Sequence, residues 1–249
     1  MIVCKTPEEL QKMRHSSLIV AEVLEEVKKA VAPGVRTKDL DALAEELILK
    51  RGGKPAFKGY NGYPATLCTS INSQIVHGIP GDYKLKEGDI LSIDCGVCCE
   101  GFFGDSAVTV PVGPISQRLA TLLRVTEESL YRAIEKVRLG NRVSDISAAV
   151  QTHVESFGFS VVREFVGHGI GKQLHEEPQV PNYGPPGRGP KLEEGMVLAI
   201  EPMVNTGGPA HRTLPDGWTA VTVDGGYSAH FEHCVAVTSN GPWILSQKN

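Results

Sequence analysis

Apolar residues recur at helical spacing in four stretches of this chain, with short strand-like runs between them. Leu10, Met13, Val20, Leu24, Val27 and Val31 fall on one face of a first helix. Its start is written in Thr6-Pro7-Glu8-Glu9: a threonine cap, proline in the first turn, glutamate three residues after the cap. Pro33-Gly34 ends it. A second helix is predicted over 37–50, with Leu40, Leu43, Leu47 and Ile48 inward and Gly52-Gly53 just beyond. The same reading predicts helices over 116–138 and 144–157. Strands are predicted around 66–77, 89–98, 102–110, 161–166, 196–203, 218–223, 228–238 and 243–246.

Helices, strands, helices, strands is an order that invites a search for a repeat. Val31-Ala32-Pro33-Gly34-Val35-Arg36 through Leu40 resembles Val137-Arg138-Leu139-Gly140-Asn141-Arg142 through Ile146, at an offset of 106. Gly88-Asp89-Ile90-Leu91-Ser92-Ile93-Asp94 resembles Gly195-Met196-Val197-Leu198-Ala199-Ile200-Glu201, at an offset of 107. His-Gly-Ile occurs in each half, at 77–79 and 168–170. The expected fold is therefore α/β (α+β), a single domain over 1–249. Two pseudo-symmetric halves, roughly 1–111 and 112–249, share a central antiparallel sheet covered by helices. A site at their junction draws side chains from both.

Composition narrows the function. The chain has 249 residues, 41% of them hydrophobic, enough for a sizeable core. The net charge is −4 and the basic residues are scattered, so neither nucleic acid nor an anionic membrane surface is expected as a partner. No apolar leader and no long apolar run is visible, and the six cysteines form no paired framework; a cytoplasmic protein with free thiols is expected.

The candidate chemistry lies in misplaced acids. Asp94 closes the apolar run Ile90-Leu91-Ser92-Ile93, where a carboxylate is costly unless paired or ligated. Asp105 follows eleven residues later. With Cys99-Glu100 as a hairpin loop the two face each other directly, and like charges so placed need a shared cation or a retained proton. Glu201 ends the apolar run 196–200, and Glu232 sits among Phe231, Cys234 and Val235. His168 stands between Gly167 and Gly169, which allow close backbone approach. Each alone has a bland explanation: a turn aspartate, a structural histidine. Together, four carboxylates and one imidazole suit two divalent ions of the Mn, Fe(II) or Co kind, since two dications balance four negative charges. Cys95 and Cys98 have Cys-x-x-Cys spacing but point to opposite faces of a strand, which argues against zinc or redox use. His175-Glu176-Glu177 has no second histidine for a zincin motif. His233 faces away from Glu232, and His230 stands beside it as a supporting partner.

These residues resemble the pita-bread metallopeptidases, and the local sequences resemble the bacterial type I methionine aminopeptidases. The likeness is carried by Gly59-Tyr60-Asn61-Gly62-Tyr63-Pro64, Ser70-Ile71-Asn72, Val76-His77-Gly78-Ile79-Pro80 and Gly101-Phe102-Phe103-Gly104-Asp105. It continues in Gly167-His168-Gly169-Ile170-Gly171, His175-Glu176-Glu177-Pro178, Ile200-Glu201-Pro202-Met203 and Phe231-Glu232-His233. The resemblance implies the pita-bread fold and removal of the initiator methionine from nascent polypeptides, with small second residues preferred. It implies that Asp105 and Glu232 bridge two metals, that Asp94 ligates one, and that His168 and Glu201 ligate the other. Co, Mn or Fe(II) is expected, with Zn or Ni as further options. A water activated by the metals attacks the scissile carbonyl, Glu201 helps move its proton, His175 bonds the developing oxyanion and His77 positions the substrate amide.

The resemblance further implies a methionine pocket of Phe57, Tyr60, Tyr63, Cys68, Leu174 and Trp218, and a monovalent-cation site, Na or K, at Asn72 and Ser228. Phe57 stands where many relatives carry a small cysteine, and Leu174 where an aromatic is usual. The stretch from His168 to Glu201 lacks room for the insertion of type II enzymes, and no zinc-binding extension precedes the first helix. A monomer in transient contact with the ribosome is expected. The alternatives are a proline-directed peptidase of the same fold, a non-catalytic pita-bread binding module, and a redox protein using Cys95 and Cys98.

Overall fold

The computed structural model describes residues 1–248. Four helices form: α1 (Pro7–Ala30), α2 (Thr37–Lys50), α3 (Gln117–Ile134) and α4 (Val143–Ser156). The capping box at the head of α1 is present, Thr6 accepting from the Glu9 amide while Glu9 accepts from the Thr6 amide. The third helix stops at Ile134, short of the expected end, because the chain turns there and carries Val137 into the core. The strands before the midpoint are β1 (Lys54–Pro55), β2 (Leu67–Ile71), β3 (Gln74–Val76), β4 (Ile90–Cys99) and β5 (Phe102–Pro111). Those after it are β6 (Ser160–Val161), β7 (Gly167–Gly169), β8 (Glu176–Val180), β9 (Val197–Ile200) and β10 (Met203–Asn205). Then come β11 (His211–Thr213), β12 (Ala220–Thr222), β13 (Ser228–His230), β14 (Glu232–Thr238) and β15 (Gly241–Ile244).

One nine-stranded sheet runs β1-β4-β5-β14-β9-β7-β8, with β2 beside β4 and β15 beside β14. The halves meet where β5 and β14 pair, Glu232 opposite Ala107 and His233 opposite Ser106. The weak sequence repeat has a backbone counterpart. Arg36 bridges Lys84 in the first half, as Arg142 bridges Lys191 in the second. Gly34 and Gly140 both adopt φ 90°, the left-handed conformation glycine favours. Each half has its own core, Val23, Leu40, Ile48 and Ile93 in the first, Leu122, Ile146, Leu198 and Val235 in the second. A third cluster, with Met13, Phe57, Tyr63, Ile170 and Cys234, lies under the junction. No helix among the described residues is long and apolar enough to cross a membrane.

Two expectations are corrected. The hairpin loop is Glu100-Gly101, with φ of 52° and 79°, and Cys99 pairs with Phe102. Two central residues with positive φ are what a tight two-residue turn requires, and glycine fits the second. Asp94 therefore pairs with Ala107 and Gly96 with Asp105, so the aspartates are diagonal neighbours rather than directly opposed. The strand expected over 161–166 is confined to Ser160–Val161, and the pairing segment that follows is Gly167–Gly169. There β7 is squeezed between β8 and β9. A Cβ on Gly169 would lie 2.1 Å from the Glu177 carbonyl oxygen, and one on Gly167 would lie 2.4 Å from that of Ala199. Only glycine on both sides lets this strand enter the sheet and leaves His168 between them.

Candidate active site

The acids arrive on strands from both halves. Asp94 and Asp105 sit on the same face of the β4–β5 hairpin, close enough to share a proton. Glu232 opens β14 across the seam, and Glu201 follows β9. His168 pairs with Ala199 on β9, which brings its ring to the same place. Asp105, His168 and Glu232 each offer a donor atom within 4.8 Å of the others, and His168 Nε2 lies 3.6 Å from Glu201 Oε1.

Electrostatics at this cluster are unfavourable for the bare carboxylates. Burial raises the Asp94 carboxyl to about 7. Burial, then Glu232 and Asp94, push Asp105 well above the usual range; burial and the neighbouring acids do the same to Glu201 and Glu232. Asp94 Oδ1, Asp105 Oδ1 and Glu232 Oε1 are buried and have no hydrogen-bond partner among the described residues. Orphaned carboxylate oxygens on acids that line one cavity fit a divalent-cation centre, since a cation satisfies the lone pairs and cancels the repulsion.

The imidazole is set for the same role. His168 Nδ1 lies 2.8 Å from the Gly169 carbonyl, which can only accept, so Nδ1 carries the proton and Nε2 keeps its lone pair. Burial, then His175 nearby, lowers the His168 pKa to about 4, which leaves the ring neutral at physiological pH. His230 is buried with Nε2 unpartnered and 3.7 Å from Glu201 Oε2, whereas His233 faces the other side and bonds Ser246 Oγ at 2.8 Å.

A cavity of about 250 Å³ opens onto these acids. Phe57, Tyr60, Tyr63, Cys68, Leu174 and Trp218 line its apolar side, and His77 and His175 flank the polar end. Phe57 is accommodated because Gly96 leaves it room: a Cβ there would meet the ring at 2.5 Å. Tyr63 turns its edge to Trp218 at 5.1 Å, and its hydroxyl reaches the Leu67 and Gly78 carbonyls. His77 holds φ 61°, uncommon for a residue with a side chain, and its ring meets Phe165 edge-on at 5.4 Å. Burial, then His175, lowers the His77 pKa to about 4. His175 Nδ1 lies 2.8 Å from the Tyr60 hydroxyl. Apart from this cavity, Asn72 and Ser228 are neighbours: the Ser228 amide donates to the Asn72 carbonyl, and Ser228 Oγ is buried without a partner among the described residues.

Some supporting residues had no signal in the sequence. Lys5 makes a buried ion pair with Glu176 at 2.6 Å, which pins the residue after His175 to the N-terminal segment. Asp41 accepts from the Thr66 and Leu67 amides, anchoring the entry to β2. Cys234 Sγ accepts from the Asp105 amide at 3.3 Å across the seam. Each joins residues far apart in the chain, and no local pattern announces such a contact.

The sequence profile described as metallopeptidase family M24 matches residues 11–239. The chain belongs to this family. It is 56% identical to a methionine aminopeptidase of Clostridium perfringens over 246 residues, covering 99% of each chain. The crystal structure of a methionine aminopeptidase from Thermotoga maritima superposes with a TM-score of 0.98 at 49% identity, covering 100% of both chains. A prolidase from Pyrococcus furiosus shares the fold, with a TM-score of 0.80 at 23% identity, but this chain covers only 66% of that one. The fold is thus the pita-bread architecture of family M24, and the chain is a metallohydrolase of the divalent-metal type.

Proposed function

We propose that this enzyme removes the initiator methionine from nascent polypeptides, acting as a single catalytic unit on a pair of dications. The observation that carries the reading is the convergence of five side chains, Asp94, Asp105, His168, Glu201 and Glu232, at the floor of one small apolar cavity. Asp105 and Glu232 stand at the seam and would bridge the ions; Asp94 would hold one, His168 and Glu201 the other. Bound dications supply Lewis-acid chemistry, polarising the scissile carbonyl and making water nucleophilic at neutral pH.

The chain's own side chains do the rest. The thioether and methylenes of methionine are polarisable and pack on Tyr63, Trp218 and Phe57. In the tautomer where Tyr60 donates to Nδ1, 2.8 Å away, His175 carries its proton on Nε2 and can bond an oxygen that gains charge in the transition state. His77 is neutral and can bond the substrate amide, and Glu201 can hold a proton in transit. The cavity's small size favours a single N-terminal residue, hence an aminopeptidase, and a small second residue. Co, Mn or Fe(II) suits the oxygen-rich donors with one imidazole, and Zn or Ni can occupy the same set. The buried Ser228 hydroxyl beside Asn72 suits a monovalent cation, Na or K. A monomer working in the cytoplasm, in transient contact with the ribosome, follows from a nascent-chain substrate.

The test is a peptide panel with each metal. Met-Ala-Ser is expected to be cut in the presence of Mn, Fe(II) or Co, with turnover falling as the second residue grows, while X-Pro peptides stay intact. A folded, metal-loaded protein that leaves Met-Ala-Ser uncut would overturn the assignment.

A further inference from the structure

The β4–β5 hairpin carries a second cluster of ligating side chains. His15 on α1, Cys99 at the end of β4 and Glu100 in the turn each bring a donor atom within 4.8 Å of the other two. Cys99 and Asp94 are five residues apart on β4, about 17 Å along an extended strand, and alternation puts them on opposite faces. Asp94 faces the cavity, while Cys99 packs with Val97 and Cys95 in the core under α1 and α2. This cluster is therefore separate from the catalytic one. We propose that His15, Cys99 and Glu100 form a metal site for a thiophilic divalent ion such as Zn²⁺.

The donor set is of the kind Zn²⁺ takes: one sulfur, one imidazole nitrogen, one carboxylate oxygen, with a fourth position for water. Metal–ligand bonds of about 2.0–2.3 Å place tetrahedral donors about 3.3–3.8 Å apart, a small closure from the spacing found. The parts are held in place by the fold. Ser16 Oγ lies 3.2 Å from the Cys99 carbonyl and 3.0 Å from that of Phe102, locking the turn of α1 that carries His15 onto the hairpin. Glu100 is fixed by the tight turn at φ 52°. His15 and Glu100 are exposed, and their side chains have no partner among the described residues, so both are free to rotate inward. Cys99 is buried, its thiol reaching the Gly52 carbonyl at 3.8 Å. Binding releases the thiol proton to solvent and changes no oxidation state. The ion would tie α1 to the hairpin that carries Asp94 and Asp105.

This proposal does not rest on the peptidase assignment, and its test does not read activity alone. Protein loaded with two equivalents of Mn²⁺ is titrated with Co²⁺, following the sulfur-to-cobalt charge-transfer band in the near ultraviolet. The expected result is a band that saturates at one Co²⁺ per chain and is erased by added Zn²⁺. Cys99→Ser removes the band, Cys98→Ser keeps it, and the exposed change His15→Ala weakens Co²⁺ binding at least about 10-fold. Hydrolysis of Met-Ala-Ser is unchanged in all three variants. No band in the wild-type protein, a full band in Cys99→Ser, or undiminished affinity in His15→Ala would overturn it.

Discussion

At the scale of single residues, the site is a set of groups that ordinary folding energetics disfavours. Three buried carboxylate oxygens lack partners, and every carboxyl in the cluster is pushed toward its neutral form. A pair of dications reverses that sign by attracting the charged form. Asp105→Asn removes a negative charge and a proposed metal ligand together. We expect it to lose at least one metal equivalent by elemental analysis and at least about 100-fold in kcat. The proposed role of His175 is different, a bond that strengthens as the carbonyl oxygen gains charge. His175→Ala is expected to lower kcat about 100- to 1,000-fold on Met-Ala-Ser while KM and metal content stay near wild type. A KM effect with kcat intact would reassign His175 to ground-state binding.

At the scale of elements, what was legible followed from local pattern. The α1 cap and the limits of α2 could be read because caps and apolar spacing are local signals. That Asp94 and Glu201 would meet at one buried cluster could be read because both end apolar runs, where a charge is conspicuous. The hairpin register could not, since it depends on which two residues take positive φ at the turn. Nor could β8, whose Glu176-Glu177-Pro178-Gln179-Val180 lacks the apolar alternation of a central strand and sits at the sheet edge. The glycines around His168 were read as allowing close approach, and β7 shows why the sheet needs them. Gly169→Ala is expected to destabilise the protein by about 1–3 kcal/mol, measured by denaturant unfolding, and to weaken metal binding by displacing His168. An unchanged unfolding midpoint would mean that the strand can move aside.

At the scale of the whole molecule, two halves with separate cores are joined at a seam that carries the charge. Metal loading should therefore stabilise the fold, by about 2.7 kcal/mol at a free metal concentration 100 times Kd. pH should matter in the metal-free state. Asp94 titrates at about 7 when folded against 3.8 as the ordinary value, and its neighbours are raised too, so these carboxyls hold more protons in the folded chain than in the unfolded one, while the buried His77, His168, His230 and His233, lowered to about 3 or 4, hold fewer. The carboxyls' contribution to stability then falls as pH rises from about 4 to about 7 while the histidines' contribution rises, and since metal competes with protons at the carboxyls, the stabilisation gained from saturating Mn²⁺ should grow over that range. Thermal melts across this range, with and without metal, check the sign. The most direct test of the account is anomalous diffraction from Mn²⁺-loaded crystals, collected at the manganese edge. Two peaks are predicted at the cavity floor, both touching Asp105 and Glu232, one also touching Asp94 and the other His168 and Glu201. A single peak, or none among these five side chains, would contradict it.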